Sequence, residues 1–128
     1  ALLPLITAIL GVSSVSAHHF FATEYDREAM TTIEAVVTGV SFRNPHVRLD
    51  LVVTTGSGGV QVWVANSVSP NALLTRGWTE ETLAVGDRVT IYGNLGSHDS
   101  ERVWIQTLTL ESGEEIYPVG RLPDIEDQ

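Results

Sequence analysis

Four histidines, the adjacent pair His18-His19 followed by His46 and His98, are the side chains of this sequence best suited to hold a metal ion. Imidazole nitrogen suits copper, zinc and nickel, and copper stands at the top of the divalent affinity order. With no cysteine in the chain, thiolate sites, disulfides and a cysteine nucleophile are excluded, so a metal here means an imidazole site. The chemistry open to the pair depends on where the chain starts. Cut after Ala17, His18 becomes the first residue and chelates through its amine and ring together, with a third nitrogen from His46 or His98 completing a T-shaped copper site. Cut after Ser16, the start is Ala17-His18-His19, whose third-position histidine can wrap Cu(II) or Ni(II) in a square of amine, amides and imidazole. Each histidine also has a plainer reading: His18-His19 as a solvated linker, His46 as a turn residue after Asn44-Pro45, and His98 as part of a polar hairpin loop.

The segment that must position the pair is residues 1–17. It carries no charge, is rich in Leu, Ile, Val and Ala, and ends in Ser13-Ser14-Val15-Ser16-Ala17, the pattern of a signal peptide's apolar core and small-residue cleavage region. As a helix it would span roughly 25 Å, short against an apolar bilayer core of about 30 Å. Pro4, Gly11 and the serines weaken a membrane anchor further. A cleaved signal is the first expectation and a retained anchor the second; both place the domain in the periplasm or another extracytoplasmic compartment. Residues 18–31 are expected to be a linker holding the histidine pair.

Residues 32–119 carry strand signals. Val47, Leu49, Leu51 and Val53 fall on alternate positions with Arg48, Asp50 and Val52 between them, the period of a strand with one buried face. The β-branched run from Thr32 to Phe42 contains Gly39, where a bulge or sharp bend is expected. Asn44-Pro45 turns it into the next strand, His46 to Thr54, because proline pushes Asn44 toward an extended conformation. Gly56-Ser57-Gly58-Gly59 is a connector, and Val60 to Asn66 a third strand. Ser69 and Pro70 read as the N-cap and first position of a helix that stops at Gly77. Arg88 to Leu95, Arg102 to Leu110 and a short Glu114 to Val119 follow as strands, and residues 120–128 form an acidic, frayed tail. Three strands, a short helix and two or three more strands predict a mainly β fold: a small antiparallel barrel of the oligonucleotide/oligosaccharide-binding (OB) type after an apolar leader helix, with an antiparallel sandwich as its rival. The Ser69 to Trp78 segment is expected to plug the barrel bottom, burying Leu73, Leu74 and Trp78. Trp63, Trp78 and Trp104 are expected in the core rather than on a ligand platform.

Four ordered motifs, Ala17-His18-His19-Phe20-Phe21-Ala22 with Glu24-Tyr25-Asp26, Asn44-Pro45-His46, Ser69-Pro70-Asn71-Ala72-Leu73-Leu74-Thr75-Arg76-Gly77-Trp78, and Val85-Gly86-Asp87, span nearly all of the chain after the leader. Together they resemble a family of small exported bacterial proteins known only as a domain of unknown function. The resemblance implies an exported domain in which the histidine pair and the Asn-Pro-His turn belong to a shared pattern, and it implies no activity. This chain has Phe20 where that pattern usually has serine, and His98-Asp99-Ser100 where a turn of the Asp-Gly-Ser kind is common, so the resemblance covers His18, His19 and His46 but not His98.

Composition narrows the partners. The formal charge is −9, from 16 acids against 7 bases, and every base is arginine. With no cluster of bases to replace phosphate counterions, the expectation is no nucleic acid, and the same acidity opposes an anionic lipid surface. No Gly-x-Ser-x-Gly elbow or phosphate loop is present, and Glu80-Glu81 and Glu114-Glu115 read as solvated charge, so no catalytic residue is assigned and the chain is not read as an enzyme. The expected function is therefore an exported envelope binding module with a metal site of His18, His19 and His46, copper first, acting in metal handling or delivery. The alternative keeps the leader as a membrane helix and docks the acidic barrel, as an accessory or structural subunit, on a larger envelope redox complex.

Overall fold

The computed structural model describes Leu2 and residues 13–99 and 101–121. Most of the expected leader, Ser100 of the loop and most of the acidic tail lie outside the described residues. Helix α1 (Ser13–Glu24) is followed by β1 (Tyr25–Ser41), β2 (Arg48–Thr54), β3 (Val60–Asn66), helix α2 (Pro70–Leu74), β4 (Arg88–Gly96), β5 (Arg102–Leu110) and β6 (Glu115–Ile116). No helix among the described residues is long and apolar enough to cross a membrane.

The strands run in the order β3-β2-β1-β4-β5-β6, antiparallel throughout, until β3 returns to β5 in a short parallel seam that pairs Val64 with Arg102, Ala65 with Val103 and Asn66 with Trp104. That seam closes the sheet on itself, which decides for a barrel over a sandwich. The alternation in β2 works as the sequence implies: Val47, Leu49 and Leu51 are wholly buried and meet Ile33, Ala35, Val37, Ile91, Val103, Ile105 and Leu108 inside. Removing that apolar surface from water, at roughly 25 cal/mol per Å², is what holds a fold that has no disulfide.

Gly39 sits at a register shift in the β1–β2 ladder, and a Cβ there would come within 2.7 Å of an Asp50 carboxylate oxygen, so the expected bulge is where a side chain would collide. Gly93 is a second close approach. At the β4–β5 register shift a Cβ on Gly93 would lie 1.8 Å from the Trp104 carbonyl oxygen, a spacing only glycine permits.

Helix α2 starts as the sequence implies. Ser69 is extended (φ −65°, ψ 157°) and its hydroxyl accepts from the Ala72 N–H at 3.4 Å, with Pro70 at the first helical position. Gly77 takes a positive φ of 84°, letting the chain reverse so that Trp78 N–H donates to the Leu73 carbonyl. Leu73 and Trp78 are buried as expected, but Leu74 is 53% exposed. One turn of helix can turn only one of two adjacent leucines inward, so the plug is made by Leu73 and Trp78.

The linker expected over residues 18–31 is corrected. Helix α1 runs unbroken past both possible cut points to Glu24, and β1 begins at Tyr25, well before Thr32. The reason is a tertiary clamp. Tyr25 pairs with Gly96 and Met30 with Asn94, leaving residues 26–29 as a bulge. The buried Asn94 amide donates to the carbonyls of Asp26 (3.1 Å) and Arg27 (3.3 Å), while its Oδ1 accepts from Gln106 Nε2 at 2.8 Å. This polar stretch is strand because Asn94 satisfies its backbone, not because its own side chains favour it.

Candidate functional site

Where α1 meets the barrel, aromatic rings and a polar cluster converge. Phe20 stacks on the His46 ring, centroids 4.3 Å apart and planes inclined by 25°. Trp104 stands edge-on to His46 at 6.3 Å and to Phe21 at 5.5 Å, and Tyr25 lies 5.7 Å from Trp104. The Asn44–Pro45 peptide is cis, and His46 stands between it and a pair of backbone bonds, Val47 N–H to Val68 O and Ser67 N–H to Val47 O, that hold its backbone to the start of the barrel.

Beside the rings runs a hydrogen-bonded chain. Tyr25 OH donates to Asn66 Oδ1 at 2.6 Å, and Arg102 Nη2 donates to the same oxygen at 3.0 Å. The other Arg102 nitrogen, Nη1, pairs with Glu24 at 3.2 Å, and the guanidinium carbon lies 5.5 Å from the Tyr25 ring centre. The C-terminal end of α1 is tied down by this pair and by Ser97 N–H, which donates to the Glu24 carbonyl at 2.9 Å.

Two titrations are displaced here. Burial pushes the Tyr25 hydroxyl up to about 12, against a smaller opposing pull from Arg102. A raised phenol contributes its stability fully below the ordinary value of 10 and loses it as pH rises through 12. Ultraviolet difference titration should accordingly show a tyrosinate step near pH 12 that disappears in Tyr25→Phe; an unchanged profile in that variant would contradict the assignment. Burial also lowers the His46 pKa, keeping its imidazole neutral and a ring nitrogen lone pair available at neutral pH.

His18, His19 and His46 are not gathered into a ligand set. Helix α1 turns His18 and His19 to solvent, and the ring that reaches His46 is Phe20. Among the described residues, no three of His, Cys, Asp and Glu come together as a metal group. The physical reason is the geometry of the helix: α1 presents the His18 and His19 side chains to solvent while Phe20 takes the face of the His46 ring. His98 is exposed, on the loop that bonds to Glu24 through Ser97. His46 is nevertheless distinctive, since its Nε2 is buried with no hydrogen-bond partner. Sequence reasoning missed Asn66, Asn94 and Arg102; the available signal was a polar residue at the end or middle of an otherwise apolar strand. The three tryptophans, at 8%, 0% and 3% exposure for Trp63, Trp78 and Trp104, are core residues as expected.

Residues 7–103 match a family of unknown function (DUF6152). The chain belongs to that family. None of the curated proteins compared matches this DUF6152 chain. Among solved structures it is similar to a small single-stranded DNA-binding protein from Streptomyces coelicolor, with 24% identity over 70% of this chain and 98% of the other and a TM-score of 0.52. At that identity the likeness establishes the fold, an OB-like barrel. It also corrects one expectation: the acidic composition had excluded nucleic acid as a partner, and that exclusion is withdrawn, because a chain of this fold carries single-stranded DNA binding in its very name.

Proposed function

We propose that this DUF6152 chain is an exported envelope binding module whose His46 corner holds a metal ion, copper first, for handling or delivery. One observation carries the reading: a neutral imidazole with a buried, unpartnered Nε2, covered by a ring only two residues from His18. A buried nitrogen of this kind costs about 1–3 kcal/mol unless something satisfies it. A cut after Ala17 supplies the missing partner. It leaves His18 to Glu24, too short to persist as a helix by itself, since isolated helices below about 12 residues are marginal. Two residues of extended chain span about 7 Å, enough to carry the His18 amine and ring from the Phe20 position toward His46. His18, His19 and His46 then become the ligands, with no catalytic residue required.

Intact mass of the exported protein and Cu(II) titration of that same species test the proposal together. The expected results are a start at His18 or Ala17 and a site that His46→Ala weakens about hundredfold, the loss of roughly 2.7 kcal/mol. Affinity should fall on acidification, as protonation removes the imidazole lone pair. Absence of a site, or one indifferent to alanine at His18, His19 and His46, overturns the reading. Single-stranded DNA, the ligand named for the Streptomyces protein, belongs in the same titration series.

The unbroken run of α1 through Ser16 and Ala17 supports a second reading, in which the leader is retained and the barrel docks on a larger envelope redox complex as an accessory subunit. A native mass that includes residues 1–17, with co-purification of a membrane partner, selects it over the first.

A further inference from the structure

A separate groove of about 550 Å³ lies where the 26–29 bulge, β4, β5 and the turn after β6 meet, and its chemistry is unlike the rest of this acidic surface. Two of the seven arginines, Arg27 and Arg121, line it. Among the described residues the ion pairs are Arg48 with Asp50 and Arg102 with Glu24, so neither groove arginine is committed to a carboxylate. Arg43, Arg76 and Arg88 are likewise outside these pairs; what sets Arg27 and Arg121 apart is that they line one groove whose lining contains no acidic side chain, in a chain of net charge −9.

The lining mixes polar groups with the large side chains of Met30, Tyr92 and Tyr117. Tyr92 is 45% exposed and Met30 38%, both large side chains left half open to the groove, and the Arg121 guanidinium carbon sits 5.3 Å from the centre of the Tyr117 ring. The Tyr117 hydroxyl donates to Glu115, fixing one end of that ring. Gln106 forms part of the lining, its Nε2 held by Asn94 Oδ1. The same Asn94 amide holds the carbonyls of Asp26 and Arg27, so the bulge that places Arg27 at the groove is built into the barrel rather than being a chance loop position.

From this arrangement we propose that the groove binds a small planar organic anion: one aromatic or heteroaromatic ring carrying a single oxyanion. The ring lies against Tyr92 and the Arg121-covered Tyr117, and the oxyanion meets the Arg27 and Arg121 guanidiniums. Arginine suits both parts, since its plane stacks on rings and its fork matches an oxyanion. The volume falls in the usual range for small-ligand sites, about 300–1,000 Å³. A phosphate on a nucleotide and a carboxylate on an aromatic acid present the same chemistry to it.

Calorimetric titration with adenosine monophosphate, adenosine, inorganic phosphate and benzoate, on the whole chain, tests this. Adenosine monophosphate, benzoate or both should bind more tightly than adenosine or phosphate alone; a response to the nucleotide only assigns the phosphate source, and one to benzoate only the carboxylate. Arg27→Gln and Arg121→Gln should each weaken binding about tenfold, Tyr92→Ala by a similar factor, and Tyr92→Phe hardly at all, with circular dichroism unchanged because all three positions are solvent-exposed. The proposal is overturned if neither ring anion binds, if the double arginine variant binds as well as the parent, or if affinity for oligothymidylate climbs steadily with length, which would mark a single-stranded nucleic-acid surface instead.

Discussion

Trp78→Ala should cost about 3–5 kcal/mol of unfolding free energy, whereas Trp78→Phe should cost about 1 kcal/mol or less. Trp78 is the largest fully buried side chain of the described residues and joins the same core cluster as Leu73, Leu49 and Val47. It arrives there from outside any strand, swung inward by the positive-φ Gly77 and held by its N–H bond to the Leu73 carbonyl. Alanine leaves a cavity that the closed barrel cannot collapse to fill, because the β3–β5 seam fixes the wall spacing. Phenylalanine keeps most of the volume and removes an indole N–H that is buried without a partner. Relief of that orphaned donor, worth about 1–3 kcal/mol, offsets much of the lost contact. Urea unfolding with an unchanged m-value measures both. Equal losses in the two variants would mean that the indole nitrogen has a partner after all.

The barrel was legible because its signals are local. Alternation in Val47, Leu49 and Leu51, the Ser69-Pro70 cap and Gly39 at the bulge each follow from the geometry of a few neighbouring residues, and β3 and β5 fall where the pattern puts them. What stayed hidden depends on partners far along the chain. Nothing within residues 25–31 announces a strand; it forms because Asn94, 67 residues from Arg27, supplies the hydrogen bonds. His46 was legible as a chemically capable residue, and its burial beneath Phe20 was not, since stacking between positions 20 and 46 leaves no trace in spacing. The same holds for the groove: Arg27 and Arg121 are far apart in the sequence, and the side-by-side pairing of β1, β4, β5 and β6 brings them to one surface.

Asn66 is where this long-range dependence should be most measurable. Its Oδ1 is buried and accepts two donors at once, the Tyr25 hydroxyl and Arg102 Nη2, so either donor alone can satisfy it. Tyr25→Phe should therefore cost only about 1 kcal/mol. Arg102→Met, which keeps the buried stem but also gives up the partly exposed pair with Glu24, should cost about 2 kcal/mol after allowance for solvent screening. The double variant strands the amide oxygen with neither donor, and its loss should exceed the sum of the single losses by about 1–2 kcal/mol, for roughly 4–5 kcal/mol in all. A double-mutant cycle in urea reads that excess directly. Strict additivity would mean that water or a rotated amide replaces the missing donors. The excess, if found, makes Asn66 the common point through which α1, tied by Glu24 and Arg102, and the β3–β5 seam, where Asn66 faces Trp104, are stabilised together. Under the proposed cut after Ala17, release of α1 would be resisted at Glu24 but not at His18, keeping Phe20 near His46 while the histidine pair is left to move.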